Sequence, residues 1–177
     1  MWRYCFFETP NNMETAEPLT VPFIVAVDSR EKLPYSFTGL HADAKQHNRP
    51  LEIRTEWQSL KTGDYAILGL EHRFTVERKS KTDLFGTLGK GRPRFVNEMK
   101  RLAALPTSAV VVEASWHDVL CNPPDASRLN VKTIHRTVIA WQFKYPHVHW
   151  HFMGDRRLAE ITTFRLLEKF YACGCYK

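Results

Sequence analysis

Residues 74–83 constrain this chain more than any other stretch: they read F-T-V-E-R-K-S-K-T-D. The first three are aromatic and β-branched, the composition of a strand. An acid and two bases then stand where a buried strand normally stays apolar. Side chains on a strand alternate in direction, so Glu77 and Lys79 leave one face and Arg78 leaves the other. From Ser80 the apolar period becomes helical. A sheet therefore ends here, with a carboxylate and an ammonium on one face of its rim.

The flanking segments supply the rest of that sheet. Residues 23–27 are a continuous apolar run ending at Asp28, the pattern of a strand covered on both faces. Residues 51–55 alternate as a second strand. Lys61-Thr62-Gly63-Asp64 is turn chemistry, and residues 65–68 with 73–77 read as a hairpin across Gly69. Leu84, Phe85 and Leu88 stripe a short helix, broken at Gly89-Lys90-Gly91. Phe95, Met99, Leu102 and Leu105 stripe another, stopped by Pro106. Residues 109–113 and 148–153 are further strands, separated by a helix carrying Val131, Ile134, Val138 and Trp141. A last helix carries Leu158, Ile161, Phe164 and Leu167, with Asp155 as its N-cap and Gly174 as its stop.

These elements predict an α/β fold: a mixed central sheet with helices on both faces. Residues 1–20 lack periodicity and read as a loose leader to one domain, 21–177, a size that suits a single core. With 44% hydrophobic residues the chain can bury that core, which excludes wholesale disorder. No stretch approaches 18 apolar residues, so no membrane span is expected. The cysteines, Cys5, Cys121, Cys173 and Cys175, suggest neither a disulfide framework nor a C-x-x-C zinc site, and a reducing compartment fits them best.

The charge is concentrated. Between Arg78 and Arg101 stand Arg78, Lys79, Lys81, Lys90, Arg92, Arg94, Lys100 and Arg101 against only Asp83 and Glu98, a surplus equal to the whole chain's +6. A solvated helix face usually mixes signs. This segment does not, and it directly follows the unusual strand.

Asp64 enters the strand before Glu77, so hairpin pairing can bring the two carboxylates together. Converging acids repel unless a cation sits between them, and an oxygen-only donor set favours Mg²⁺ or Mn²⁺ over zinc. Lys79 beside them can orient a water or stabilise charge on a phosphate. The same spacing also suits a surface hairpin with a Glu–Lys pair, worth at most about 1 kcal/mol.

The neighbouring words favour the first reading. V-D-S-R-E at 27–31, G-D-Y at 63–65 and V-E-R-K-S-K-T-D at 76–83, continued by L-F-G-T-L-G-K-G-R, resemble the nuclease domain of the XPF family of structure-specific endonucleases, a PD-(D/E)XK, restriction-endonuclease-like architecture. The likeness runs from about residue 23 through the last helix, in layout more than in words over the second half. It implies that Asp64 and Glu77 ligate a metal, that Lys79 is the catalytic lysine, and that Arg78 and Asp83 complete the active-site signature. It places Asp28 beside the metal cluster and Arg30 near a phosphate. It implies cleavage of DNA to 5′-phosphate and 3′-hydroxyl ends, on branched, flapped or recombination and repair intermediates. A catalytically silent DNA-binding subunit is the alternative, although both acids and the lysine are present, and an RNA nuclease is a third reading.

Other members carry a tandem helix-hairpin-helix module; a single-domain form is expected here, with Lys90, Arg92, Arg94, Lys100 and Arg101 as a phosphate clamp. A homodimer through Trp141, Phe164 and Phe170 is a further expectation, those residues serving equally well as core. The family's work points to the cytoplasm of a prokaryotic or phage-type cell, or to a nucleus. Gly86 to Arg92 lacks phosphate-loop spacing, so no nucleotide cofactor is expected. His147, His149 and His151 read as a solvent-facing or helix-covered strand rather than a metal site. Trp57, Tyr65 and Phe95 could stack on bases, with burial the default.

Overall fold

Alternating apolar residues draw Leu19–Asp28 into β1, whose Val21, Phe23, Val25 and Val27 are all buried on one side. β1 pairs in parallel with the mostly exposed edge strand β2 (Leu51–Gln58) and antiparallel with β3 (Tyr65–Ile67). β3 turns back antiparallel onto β4 (Phe74–Lys79), which runs parallel to β5 (Thr107–Val112), itself parallel to β6 (Val148–Phe152). The computed structural model, which describes residues 17–174, thus holds one mixed six-stranded sheet in the order β2-β1-β3-β4-β5-β6.

Helices cover both faces, as expected. On one side α1 (Lys81–Leu88), α2 (Arg92–Ala103) and α4 (Val131–Lys144) bury Leu84, Met99, Leu102, Ile134 and Val138 against Val110 and Val112. On the other, α5 (Arg156–Cys173) and the loop after β1 pack Phe164, Leu167, Tyr35 and Phe37 over Val25, Tyr65, Val76 and Val111. Asp155 caps α5 by accepting from Leu158 N at 2.8 Å, and Gly174 ends it at φ +65°. No helix among the described residues is long and apolar enough to cross a membrane.

Several details were not anticipated. α3 (Trp116–Cys121) was missed, although Ser115-Trp116-His117-Asp118 forms a capping box at its start: the Ser115 hydroxyl accepts from Asp118 N, and Asp118 accepts from Ser115 N. Residues 44–46 form a 3₁₀ turn. Of the expected leader, residues 1–16 lie outside the described residues, and Leu19 already pairs in β1. Cys121 is free, but Cys173 is disulfide-bonded, so the cysteines are not all without a bridging part.

Two of the expected dimer residues are core, Trp141 being 6% exposed and Phe164 fully buried, while Phe170 is half-buried and stacks on Phe74 at 4.9 Å. The exposed apolar side chains of α4 are Ile139 and Phe143 instead. Tyr65 and Phe95 are also buried, which leaves Trp57, on the edge strand, as the solvent-facing member of the expected stacking trio.

Candidate active site

Three strand ends meet where β1 finishes, β3 begins and β4 finishes. The β3–β4 register ends with Tyr65 opposite Val76, and Asp64, one residue before β3, donates its N–H to Val76 O at 2.8 Å. Tyr65 and Val76 point into the core under α5, so Glu77 points to the opposite face, where it and Asp64 border the same cleft. Lys79 shares that face, its Nζ 2.5 Å from Glu77 Oε1 and 4.9 Å from the centre of the Phe95 ring. Asp28 ends β1 beside them, and its backbone N–H donates to Asp64 O at 2.9 Å.

The turn before Asp64 is held by a glycine that nothing else can replace. Gly63 sits at φ +76°, and a Cβ there would lie 2.7 Å from Thr75 Cβ on the neighbouring strand. Gly63→Ala is expected to cost about 1–3 kcal/mol through strain and overpacking, read as a lowered urea midpoint.

Each carboxylate sits in a different electrostatic setting. Asp28 is buried, which alone would raise its pKa; hydrogen bonds from Arg30 N, Nε and Nη2 and from Leu60 N, with the Arg30 charge, hold it below the usual range. Asp64 is raised well above the usual range, by burial first and then by the charge of Glu77, even though Arg78 N donates to its Oδ2 at 2.7 Å. Glu77 is also raised, by burial, against the pull of Lys79. Burial works to lower Lys79, but Glu77 outweighs it and the ammonium is held charged. Two acids crowded into a desolvated corner, with the Glu77 charge pressing on Asp64, are what a hard divalent cation would relieve. Asp64 and Glu77 therefore fit Mg²⁺ or Mn²⁺, although among the described residues no three His, Cys, Asp or Glu side chains form a ready-made cage.

A cleft of about 600 Å³ opens over this corner. Of the expected phosphate-contacting bases, Arg30, Arg94 and Arg101 line it, and so do Lys32 and Lys61, which were missed. Lys90 and Lys100 are exposed but do not line it. Arg92 turns away: its Nη1 donates to Thr137 Oγ1 at 3.1 Å and its guanidinium lies 5.6 Å from the Trp141 ring centre. The spacing of bases along a helix does not say which of them a neighbouring helix will claim.

Asp83 lines the cleft from the first turn of α1, its N–H donating to the N-cap Ser80 Oγ at 3.1 Å and its Oδ2 accepting from that hydroxyl at 2.7 Å. Glu98 of α2 was missed as well. It accepts from Thr62 Oγ1 at 2.8 Å and from Arg101 Nη2 at 2.5 Å at the cleft wall.

Arg78 points to the far face, as alternation along β4 predicts. There its Nε and Nη2 donate to the two oxygens of Glu113 at 2.7 and 2.9 Å, and Nη1 reaches Glu31 at 3.3 Å, Arg78 and Glu31 both bordering the cleft. The histidines of β6 stand apart from the cleft, with His149 exposed. The glycine-containing loop is a tight α1–α2 link, Gly91 N donating to Gly86 O at 3.0 Å.

Comparison with known proteins bears on this arrangement. The solved structure of XPF from Aeropyrum pernix superposes with a TM-score of 0.58 at 20% identity over 82% of this chain and 60% of that one. XPF from Aeropyrum pernix in complex with DNA does so at 0.58 and 19%, over 85% of this chain and 65% of that one. This chain thus spans less than two thirds of either structure, and at that identity the likeness establishes the restriction-endonuclease-like fold. No curated protein matches it in sequence. Residues 27–163, however, match the ERCC4 domain. That span takes in Asp28, both strands bearing Asp64, Glu77 and Lys79, and the helices behind them, so the chain belongs to the ERCC4 domain family.

Proposed function

We propose that this chain is a divalent-cation-dependent DNA endonuclease that hydrolyses phosphodiester bonds to 5′-phosphate and 3′-hydroxyl ends, with branched or flapped DNA as its substrate class. The observation that carries this reading is the convergence of Asp64, Glu77 and Lys79 on one face of the sheet under a cleft rimmed by bases. Membership of the ERCC4 domain family and the likeness to a DNA-bound XPF support it.

In this reading Asp64 and Glu77 hold Mg²⁺ or Mn²⁺. The chemistry such an ion supplies is Lewis-acid stabilisation of phosphate charge and activation of a water. Lys79, fixed by Glu77, presents a point charge to the attacking water and to the oxygen that gains charge. Asp28 serves as a brace, since all its captured donors come from Arg30 and Leu60, and it keeps the exposed Arg30 guanidinium at the cleft. Arg30, Arg94, Arg101, Lys32 and Lys61 draw phosphates in from both sides without reading sequence.

The test is a cleavage assay on flaps, forks, four-way junctions and plain duplex, as matched DNA and RNA, in Mg²⁺, Mn²⁺ or EDTA. Cleavage of DNA alone, lost in EDTA, is expected. RNA cleavage would move the substrate class, and DNA binding without cleavage in either cation would make the chain a silent subunit. Binding can be isolated in Ca²⁺. There Lys61→Ala is expected to weaken DNA affinity and to lower the slope of log Kd against log salt by about 1, as loss of one phosphate contact should.

A further inference from the structure

We propose that Glu113 is a positioning residue of this site, acting from the opposite face of the sheet to hold β4 in the register that aligns Glu77 and Lys79. The Mn²⁺ and activity readouts of this proposal rest on the proposed function, and its stability readout does not.

Glu113 immediately follows β5 and grips β4 twice. Its backbone N–H donates to Lys79 O at 2.8 Å, and its carboxylate takes the Arg78 guanidinium in a two-pronged bond. Residues 78 and 79 are therefore both fixed by one side chain and one amide of the same residue. The Arg78 side chain is 8% exposed and that of Glu113 also 8%, so neither charge has water to fall back on. Two further donors converge on Glu113 Oε1: Tyr35 OH at 3.0 Å and Arg156 Nη1 at 2.8 Å. Tyr35 lies between the two guanidiniums, 5.7 Å from Arg78 and 4.8 Å from Arg156.

The consequence reaches the cation corner through the backbone. Arg78 N is the donor to Asp64 Oδ2, so whatever moves the Arg78 peptide moves the Asp64 carboxylate and its neighbour Glu77. With Glu113 neutral, Arg78 would keep Glu31 at 3.3 Å as its remaining acidic partner. A buried guanidinium short of charge turns toward solvent, and here that means rotating the strand that carries the site. Arg156 extends the hold to the cleft rim, its Nη2 donating to the carbonyls of Leu33 and Pro34.

The experiment compares wild type with Glu113→Gln, Arg78→Met and the double variant Glu113→Met/Arg78→Met, the last removing both buried charges so that the fold is kept. Mn²⁺ affinity is measured by calorimetry without DNA, alongside kcat, KM and the urea midpoint. Glu113→Gln should weaken Mn²⁺ binding about tenfold and lower kcat about ten- to a hundredfold with KM within twofold. The double variant should recover stability but neither Mn²⁺ affinity nor kcat, and be no slower than the slower single variant. Restored Mn²⁺ affinity in the stable double variant, or Glu113→Gln folded with Mn²⁺ affinity and kcat within twofold of wild type, would overturn the proposal. A wild type that binds Mn²⁺ but cuts nothing would remove the nuclease reading, and the Mn²⁺ comparison would still decide the role of Glu113.

Discussion

Lys79→Ala is expected to slow single-turnover DNA cleavage about a hundred- to a thousandfold while shifting DNA affinity less than tenfold. The ammonium is 2.5 Å from Glu77 Oε1, lies over the Phe95 ring, and is 12% exposed, so it is pre-placed and needs no reorganisation when charge develops on the phosphate. The bases on the cleft rim remain in the variant, which is why binding should hold. Lys79→Arg should not rescue, because a planar fork cannot occupy the place of a compact ammonium against an aromatic ring. Quenched-flow cleavage in Mg²⁺ with binding in Ca²⁺ separates the two effects. Cleavage within tenfold of wild type would remove Lys79 from the chemistry.

Asp64→Asn should do two opposite things: end cleavage and stabilise the cation-free protein at neutral pH. Burial and the Glu77 charge raise the Asp64 pKa in the folded state. An acid raised on folding costs stability above its unfolded pKa, near 3.9. That cost grows as pH rises toward the folded value and is constant beyond it. The amide oxygen of Asn can still accept from Arg78 N, so the strand is not released. Its gain in EDTA at pH 7 should be on the order of 1–3 kcal/mol, seen as a higher urea midpoint. Wild type in EDTA should gain stability as pH falls from neutral. Asp28 and Glu113, held below their ordinary values by Arg30 and Arg78, set the lower limit: their stabilisation is present above the unfolded carboxylate pKa and is lost as pH falls through their folded values. Divalent cation should stabilise wild type and leave Asp64→Asn nearly unchanged. A variant no more stable than wild type in EDTA would mean that the two acids do not oppose each other.

Much of this site was legible because its chemistry is local. Period-two alternation alone put Glu77 and Lys79 on one face and Arg78 on the other, and a short hairpin carried Asp64 across to them. The partners of Arg78 were not legible. Glu113 is 35 residues away and meets Arg78 only through the parallel β4–β5 pairing, which no local pattern specifies. A glutamate closing an otherwise apolar strand was the available signal, and it was read as a strand end. Arg92 failed for a related reason, since its direction is decided by α4 rather than by its own helix. Lys32 and Lys61 lie outside the basic run, so counting charge along the chain passed over them, although the fold gathers them at the same cleft.

The β3–β4 hairpin tip and the end of β4 should tolerate changes of length very unequally. At Gly69 a Cβ would meet nothing within 4 Å, so the tip has space for inserted residues that leave Asp64 facing Glu77. One residue inserted between Glu77 and Arg78 would instead send the ammonium into the apolar layer under α5 and turn the guanidinium to the site's face, and loss of Arg78 would likewise flip the ammonium away. The gap between the two acids should therefore accept changes of length, while the three-residue word at the strand's end should have no freedom in its spacing.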